Sequence, residues 1–181
     1  MKNSKKTVLL GITGSIAAYK ACDVIGLLNK EGFNVRVMLT KEAAEFVTPL
    51  TLQTLSRNKI ITDMFELPDE WSPVHTSLAE EADLVMIVPA TANVIAKIAS
   101  GICDDILTCT VFATGAPVMI APAMNEKMYK HPITQANIEK LKKVGYAFIG
   151  PIKGHLACGC DDIGHIADIN DIVKEAKRLL K

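Results

Sequence analysis

The amino-acid sequence predicts an α/β fold: a doubly wound, Rossmann-like or flavodoxin-like parallel sheet with helices on both faces. Three short apolar runs, over residues 7–13, 84–88 and 117–121, are each bounded by small or polar residues. Unbroken runs of this kind are typical of strands buried on both faces of a parallel sheet. Helical spacing separates them, and this alternation favours helices packed on both sides of the sheet.

The same patterns predict the remaining elements. The first strand turns into a helix that runs to about residue 31, and residues 33–39 form a second strand. Pro49 interrupts a helical segment over residues 41–57, and residues 58–68 are irregular with at most a short strand. The rest of the chain is predicted to contain helices over residues 95–100, 104–113, 132–144 and 170–180, a strand over 146–149 and a long loop over 151–164.

Composition limits the class of protein. The 181 residues, 49% hydrophobic and 22% charged, predict a single globular domain over residues 1–181. Twenty basic and twenty acidic residues give no net charge, which argues against nucleic acid as a partner. The odd number of cysteines, five, favours reduced thiols and a cytoplasmic location. Lysines before the first apolar run imitate a secretory signal, but cleavage there would remove the first strand, and no run is long enough to span a membrane.

Small residues follow two of the predicted strands. Residues 89–93 read Pro-Ala-Thr-Ala-Asn, and residues 122–125 read Pro-Ala-Met-Asn. The carboxyl ends of parallel strands form the edge where ligands bind in open α/β sheets. Small side chains there let a flat ligand approach the backbone, and the amides of Asn93 and Asn125 can donate and accept hydrogen bonds.

The first strand–helix turn contains Gly11, Gly14 and Ser15. Backbone N–H groups at such a turn favour an anion, although the turn matches neither a Walker sequence nor Gly-x-Gly-x-x-Gly. Thr40 ends the second strand, where a dinucleotide fold would have an acidic residue. The turn by itself is weak support for a phosphate site, and Thr40 favours a mononucleotide over NAD.

One histidine and one loop have two interpretations each. His75 is either a helix cap or solvated side chain, or a functional residue just upstream of the central strand. The loop over residues 151–164 contains His155, Cys158 and Cys160, with His165 close behind. We interpret it as a lid bearing a reactive thiol; a zinc site is the alternative, although the spacing matches no common zinc pattern.

Five short motifs in this sequence stand in the order that is typical of one protein family, and the similarity extends over residues 7–168. The chain thereby resembles the homo-oligomeric flavin-containing cysteine decarboxylases. The motifs are Gly11-x-x-Gly14-Ser-Ile-Ala-Ala, His75, Pro89-Ala-Thr-Ala-Asn93, Pro122-Ala-Met-Asn125 and Leu156-Ala-Cys-Gly159.

The resemblance implies FMN as cofactor and a homo-oligomer, either a trimer or a dodecamer built of trimers. The active site would lie between subunits, so that His75 acts on the flavin of a neighbouring chain. The implied cofactor-binding residues are Gly14, Ser15, Ile16 and Thr40 for the phosphate and Ala90, Thr91, Ala92, Asn93 and Met124 for the flavin.

The resemblance also implies the reaction: FMN-dependent decarboxylation of phosphopantothenoylcysteine to phosphopantetheine in coenzyme A synthesis. Oxidation of the thiol-bearing carbon to a thioaldehyde supplies the electron sink for loss of carbon dioxide. His75 would be the acid/base, Cys158 the proton donor, and Asn125, Ala157 and Gly159 the substrate-binding residues. No metal is implied, and the phosphopantothenate–cysteine ligase is expected to be a separate protein.

Two other functions are alternatives to this one. A peptidyl-cysteine decarboxylase performs only the oxidative half and needs no second proton donor, so Cys158 argues against it. Regulatory relatives of this fold tend to carry acidic extensions, which this sequence lacks. After Gly159 the chain departs from the usual family pattern, which leaves the roles of Cys160 and His165 open.

Overall fold

In the computed structural model, which describes residues 5–65, 73–157 and 159–181, a parallel sheet has the strand order β2-β1-β3-β4-β5. This order is flavodoxin-like, and it reverses between β1 and β3. A separate antiparallel hairpin pairs β6 with β7. The strands are β1 Thr7–Ile12, β2 Asn34–Leu39, β3 Leu84–Ala90, β4 Val118–Pro122, β5 Ala147–Phe148, β6 Ile152–His155 and β7 Asp161–His165.

Helices connect the strands and cover both faces of the sheet. Two short 3-10 helices, Ile16–Lys20 and Ala43–Glu45, follow β1 and β2. None of the helices in the described ranges is long and apolar enough to cross a membrane. The α-helices are α1 Ala21–Lys30, α2 Pro49–Ser56, α3 Val74–Glu81, α4 Ala92–Ser100, α5 Ile106–Ala113, α6 Glu126–Lys130, α7 Pro132–Lys143 and α8 Ile169–Leu179.

Successive side chains of the central strands enter two hydrophobic clusters, one on each face. Leu10 and Met86 pack with residues of α1, α2 and α8. Leu9 and Val85 pack with residues of α3, α4, α5 and α7. Every residue of β3 is buried, as expected for a strand covered on both sides. The predicted fold class is confirmed.

Three local predictions were wrong. The segment predicted as a loop over residues 151–164 forms most of the β6–β7 hairpin. Pro49 does not interrupt a helix but begins α2, where its missing N–H costs nothing, and Thr48 caps that helix. Cys103 and Cys109 stand among apolar residues, which predicts that both fill the core. Cys103 is exposed instead, and Cys109 is half-buried, where burial raises the pKa of its thiol.

Thr13 joins the carboxyl ends of β1 and β3. Its buried hydroxyl donates to the Pro89 carbonyl oxygen (2.7 Å) and accepts from the Thr91 N–H (3.1 Å). These two bonds fix the two strand ends beside the point where the strand order reverses, which is the usual ligand position in this topology.

Replacing Thr13 with valine keeps the shape of the side chain and removes both hydrogen bonds. Because both partners are backbone groups, that of Pro89 buried and that of Thr91 partly buried, we expect a loss of about 1–3 kcal/mol in the free energy of unfolding. Urea titration measures the change. Thr54→Val, at an exposed position of α2, is the control and should have little effect. Equal stability of the two variants would contradict a stabilising role for Thr13.

Candidate active site

Among the described residues, two cavities are found at the carboxyl edge of the sheet, and the turn after β1 lines both. The larger has a volume of about 610 Å³. It lies between the 3-10 helix Ile16–Lys20, the β4–α6 connection and the β6–β7 hairpin. The smaller, of about 30 Å³, lies between the ends of β1, β2 and β3. Ser15 lines the larger cavity and Gly14 the smaller, so consecutive residues connect the two.

The turn at Gly14 brings two loops together. A β-carbon at this position would lie 2.5 Å from the Glu42 Cβ, so only glycine allows this approach. Ser15 caps the following 3-10 helix, its Oγ accepting from the Ala17 N–H (3.3 Å). The Thr40 Oγ1 accepts from the N–H of Ala43 (3.3 Å), the first residue of the next 3-10 helix. Gly14 and Thr40 therefore both line the smaller cavity, on neighbouring strand ends.

The small residues after β3 lie at the end of the strand and in the first turn of α4. Ala90 is fully buried in the strand, and its carbonyl accepts from the Ala123 N–H (3.0 Å), which ties β3 to β4. Thr91 caps α4 through the Val94 N–H (3.3 Å). Thr91 and Asn93 line the smaller cavity, whereas Ala92, in the first turn of α4, lines neither cavity.

Asn125 caps α6 at the wall of the larger cavity. Its Oδ1 accepts from the Lys127 N–H (2.9 Å), and its Nδ2 donates to the Glu126 Oε2 (2.6 Å). The same Glu126 oxygen accepts from the Cys160 thiol, with 3.6 Å between sulfur and oxygen. Both ends of the Asn125 amide are therefore held. Sequence reasoning missed Glu126, because a glutamate in the first turn of a helix is common for electrostatic reasons alone.

The β6–β7 hairpin forms the third wall. Gly164 has φ 140°, and a β-carbon there would lie 2.2 Å from the Met124 carbonyl oxygen, so a side chain would prevent the hairpin from docking. The Gly164 carbonyl accepts from the Met124 N–H (3.1 Å). An ion pair between Lys130 and Asp162 joins the hairpin to α6, and Lys130 is the main cause that lowers the pKa of the Asp162 carboxyl.

The structure brings most of the predicted site residues to this edge. Ser15, Ile16, Met124, Asn125 and Ala157 line the larger cavity. Gly159 follows in the hairpin turn with a positive φ of 86°, and Cys158 lies outside the described residues.

His75 is not part of either cavity. It lies half-buried in the first turn of α3, not in a loop before it. For the zinc alternative, no group of three or more His, Cys, Asp or Glu side chains suited to a metal was found within residues 5–65, 73–157 and 159–181.

Comparison with known proteins identifies the family. A model of the flavoprotein family matches residues 1–181. The chain belongs to this flavoprotein family. The chain is 44% identical over 177 residues to a probable phosphopantothenoylcysteine decarboxylase of Streptococcus mutans. The match covers 97% of this chain and 99% of the S. mutans protein. The resemblance predicted from the five motifs is confirmed.

Longer relatives and a solved structure extend the comparison. The chain is 47% identical over 175 residues to the coenzyme A biosynthesis bifunctional protein CoaBC of Bacillus subtilis. The match covers 97% of this chain but 43% of that relative, so the chain spans less than half its length. A PPC decarboxylase variant complexed with pantothenoylaminoethenethiol superposes with a TM-score of 0.86 at 31% identity, over 96% of this chain and 97% of the other.

Proposed function

We propose that this flavoprotein catalyses the FMN-dependent decarboxylation of phosphopantothenoylcysteine to phosphopantetheine. The observation that carries the proposal is the 44% identity over 97% of the chain to the S. mutans protein, a probable decarboxylase of this substrate. The site agrees with it, because Asn125 and Ala157, which belong to two of the five motifs, line one cavity that begins at the Ser15 turn.

The residues at the sheet edge fit FMN. Gly14 has no side chain and lies against Glu42, and helix starts present N–H groups that bind anions. Gly14, Ser15, Ile16 and Thr40 would hold the phosphate, and residues 90–93 with Met124 would contact the flavin. When bound, FMN would accept a hydride equivalent from the thiol-bearing carbon and later return it, which gives the substrate its electron sink.

The chain's own groups bind and orient the substrate. Lys127 and Glu126 orient the Asn125 amide at the wall of the larger cavity, where it would bind the substrate carboxylate. A neutral amide suits this position, because the carboxylate must lose its charge on leaving. Ala157 and Gly159 would contact the substrate from the hairpin, and Cys158 between them would donate a proton to the product.

The position of His75 supports a site shared between subunits. Among the described residues it lines neither of these two cavities, which agrees with an acid/base role towards a neighbouring copy. Its helix, α3, packs against α5, near which Ile102 and Phe112 expose large apolar side chains. Exposed apolar groups of this kind are common at protein–protein interfaces. A trimer, alone or within a dodecamer, would bring His75 to a partner's flavin.

The proposal extends to the setting of the enzyme. Residues 1–181 would form one FMN-binding domain that acts on a small molecule in the cytoplasm.

Substrate preference tests the proposed function. The purified protein should release carbon dioxide from phosphopantothenoylcysteine, and release little from a peptide with a carboxyl-terminal cysteine. The reverse preference would identify a peptidyl-cysteine decarboxylase. Carbon dioxide from neither substrate, with FMN bound, would contradict the proposed function.

Replacing Ser15 with aspartate should weaken FMN binding. A carboxylate about 4 Å from the phosphate costs on the order of 1–4 kcal/mol, a roughly tenfold to thousandfold rise in Kd. Fluorescence titration of the apoprotein with FMN measures it. Ser100→Asp adds the same charge at the far end of α4 and should bind FMN normally. Unchanged affinity in Ser15→Asp would place the phosphate elsewhere.

A further inference from the structure

We propose that Lys20, held in place by His165, binds the phosphate group of the substrate at one end of the larger cavity. This inference rests on the proposed function for the identity of the ligand. It gives a role to His165, which the family motifs leave without one, and makes Lys20 a specificity-determining residue.

The two side chains meet across the cavity wall. Lys20 ends the 3-10 helix Ile16–Lys20, and its Nζ lies 3.3 Å from the His165 Nε2. The other ring nitrogen, Nδ1, lies 2.8 Å from the Ile166 carbonyl oxygen. A carbonyl only accepts, so Nδ1 carries the hydrogen of that bond. Nε2 then has a lone pair, and the Lys20 ammonium donates to it. His165 therefore acts as a neutral acceptor that orients the ammonium.

The charges around the cavity favour an anion. Its described lining includes Lys20, His155 and His165 but no aspartate or glutamate. Among the described residues Lys20 has no carboxylate in an ion pair with it, and it is half-buried. The nearby Asp168 carboxyl has a lowered pKa, mainly because it accepts hydrogen bonds from Asn170. The charge of Lys20 makes the smallest contribution to that lowering. The Lys20 ammonium thus has two N–H donors available to a ligand, and Asp168 is a carboxylate that interacts with its charge without forming an ion pair.

The phosphate suits this charge better than the carboxylate does. The substrate carries both anions, and only the carboxylate departs. A full positive charge on the departing carboxylate would stabilise the bound substrate more than the transition state, in which that charge is being lost, and would slow the reaction. An ammonium on the phosphate contributes equally to both states, so it strengthens binding without raising the barrier.

Binding measurements test this without relying on turnover. Calorimetric titration of the FMN-loaded protein with phosphopantetheine and with pantetheine gives the preference for the phosphate. In Lys20→Gln we expect binding of phosphopantetheine to weaken by about ten- to a hundredfold, the usual value of a charge-assisted hydrogen bond, and binding of pantetheine to stay unchanged. Lys30→Gln, which removes an exposed charge at the end of α1, is the control.

Two variants of His165 test its role in orienting Lys20. His165→Leu removes the acceptor and should lose part of the phosphate preference, whereas His165→Gln restores an acceptor and should recover it. In kinetics the loss should appear in KM, with kcat nearly constant. Equal weakening of both ligands by Lys20→Gln, or none, would overturn the proposal. A Lys20-dependent phosphate preference in a protein that releases no carbon dioxide would support this inference and refute the proposed function.

Discussion

Alanine at His75 is expected to lower turnover by about a hundred- to ten-thousandfold, the usual value of an acid–base group. Alanine at Asn125 is expected to lower turnover by removing a contact with the substrate, and FMN should stay bound in both variants. His75 is half-buried on α3 and Asn125 caps a short surface helix, so neither belongs to the hydrophobic core. Stopped assays of phosphopantetheine, with flavin absorbance for cofactor content, separate loss of chemistry from loss of FMN. Near-normal turnover in either variant would remove that residue from the reaction.

Mixing the two inactive variants tests whether the site is shared. Each His75→Ala chain still has Asn125, and each Asn125→Ala chain still has His75. Chains unfolded together and refolded should form some sites with both residues and recover part of the activity. Variants refolded separately and mixed afterwards are the control. No recovery in a co-refolded oligomer would indicate that both residues come from one chain.

Replacing Cys158 with serine is expected to allow the oxidative half of the reaction and to stop the second half, in which the product is reduced. A hydroxyl is far less acidic than a thiol, so it donates a proton poorly at neutral pH. Carbon dioxide should still be released once per site, the flavin band should stay bleached, and an enethiol should accumulate. Rapid-scan absorbance with mass spectrometry of the bound product measures all three. A Cys158→Ser enzyme that turns over repeatedly would contradict the role of this thiol.

Cys160→Ser is the matched control two residues away. The Cys160 thiol donates to Glu126, and a serine hydroxyl can make the same kind of bond, so turnover should be largely retained. The zinc hypothesis predicts a different pattern, with metal lost from both variants. Metal analysis of the wild-type protein and the two variants therefore separates the hypotheses.

The parallel sheet could be predicted because its signals are local. Runs such as residues 84–88 are apolar at every position, which only a strand buried on both faces requires. The hairpin had no such signal. Its strands Ile152–His155 and Asp161–His165 are short and contain glycine and charged residues, which are rare in strands. What fixes the hairpin is the contact of Gly164 with Met124, forty residues earlier in the chain.

The candidate site was predictable where its residues lie in local motifs, and not where they meet through the fold. Asn125 and Ser15 could be selected because each follows a recognisable strand end within a motif. The pairing of Lys20 with His165 joins residues 145 positions apart, and neither has a local pattern that indicates the other. Glu126 likewise accepts hydrogen bonds from both Asn125 and Cys160, and the fold alone brings Cys160 to it.

The product of repeated turnover tests the central claim most directly. Purified wild-type protein with FMN and phosphopantothenoylcysteine, without oxygen, should give many molecules of product per flavin, each with the mass of the saturated thiol phosphopantetheine. That result requires both oxidation and re-reduction at one site, with no outside electron acceptor. A product lighter by two hydrogen atoms, formed once per flavin, would show that the enzyme performs only the oxidative half and would contradict the account.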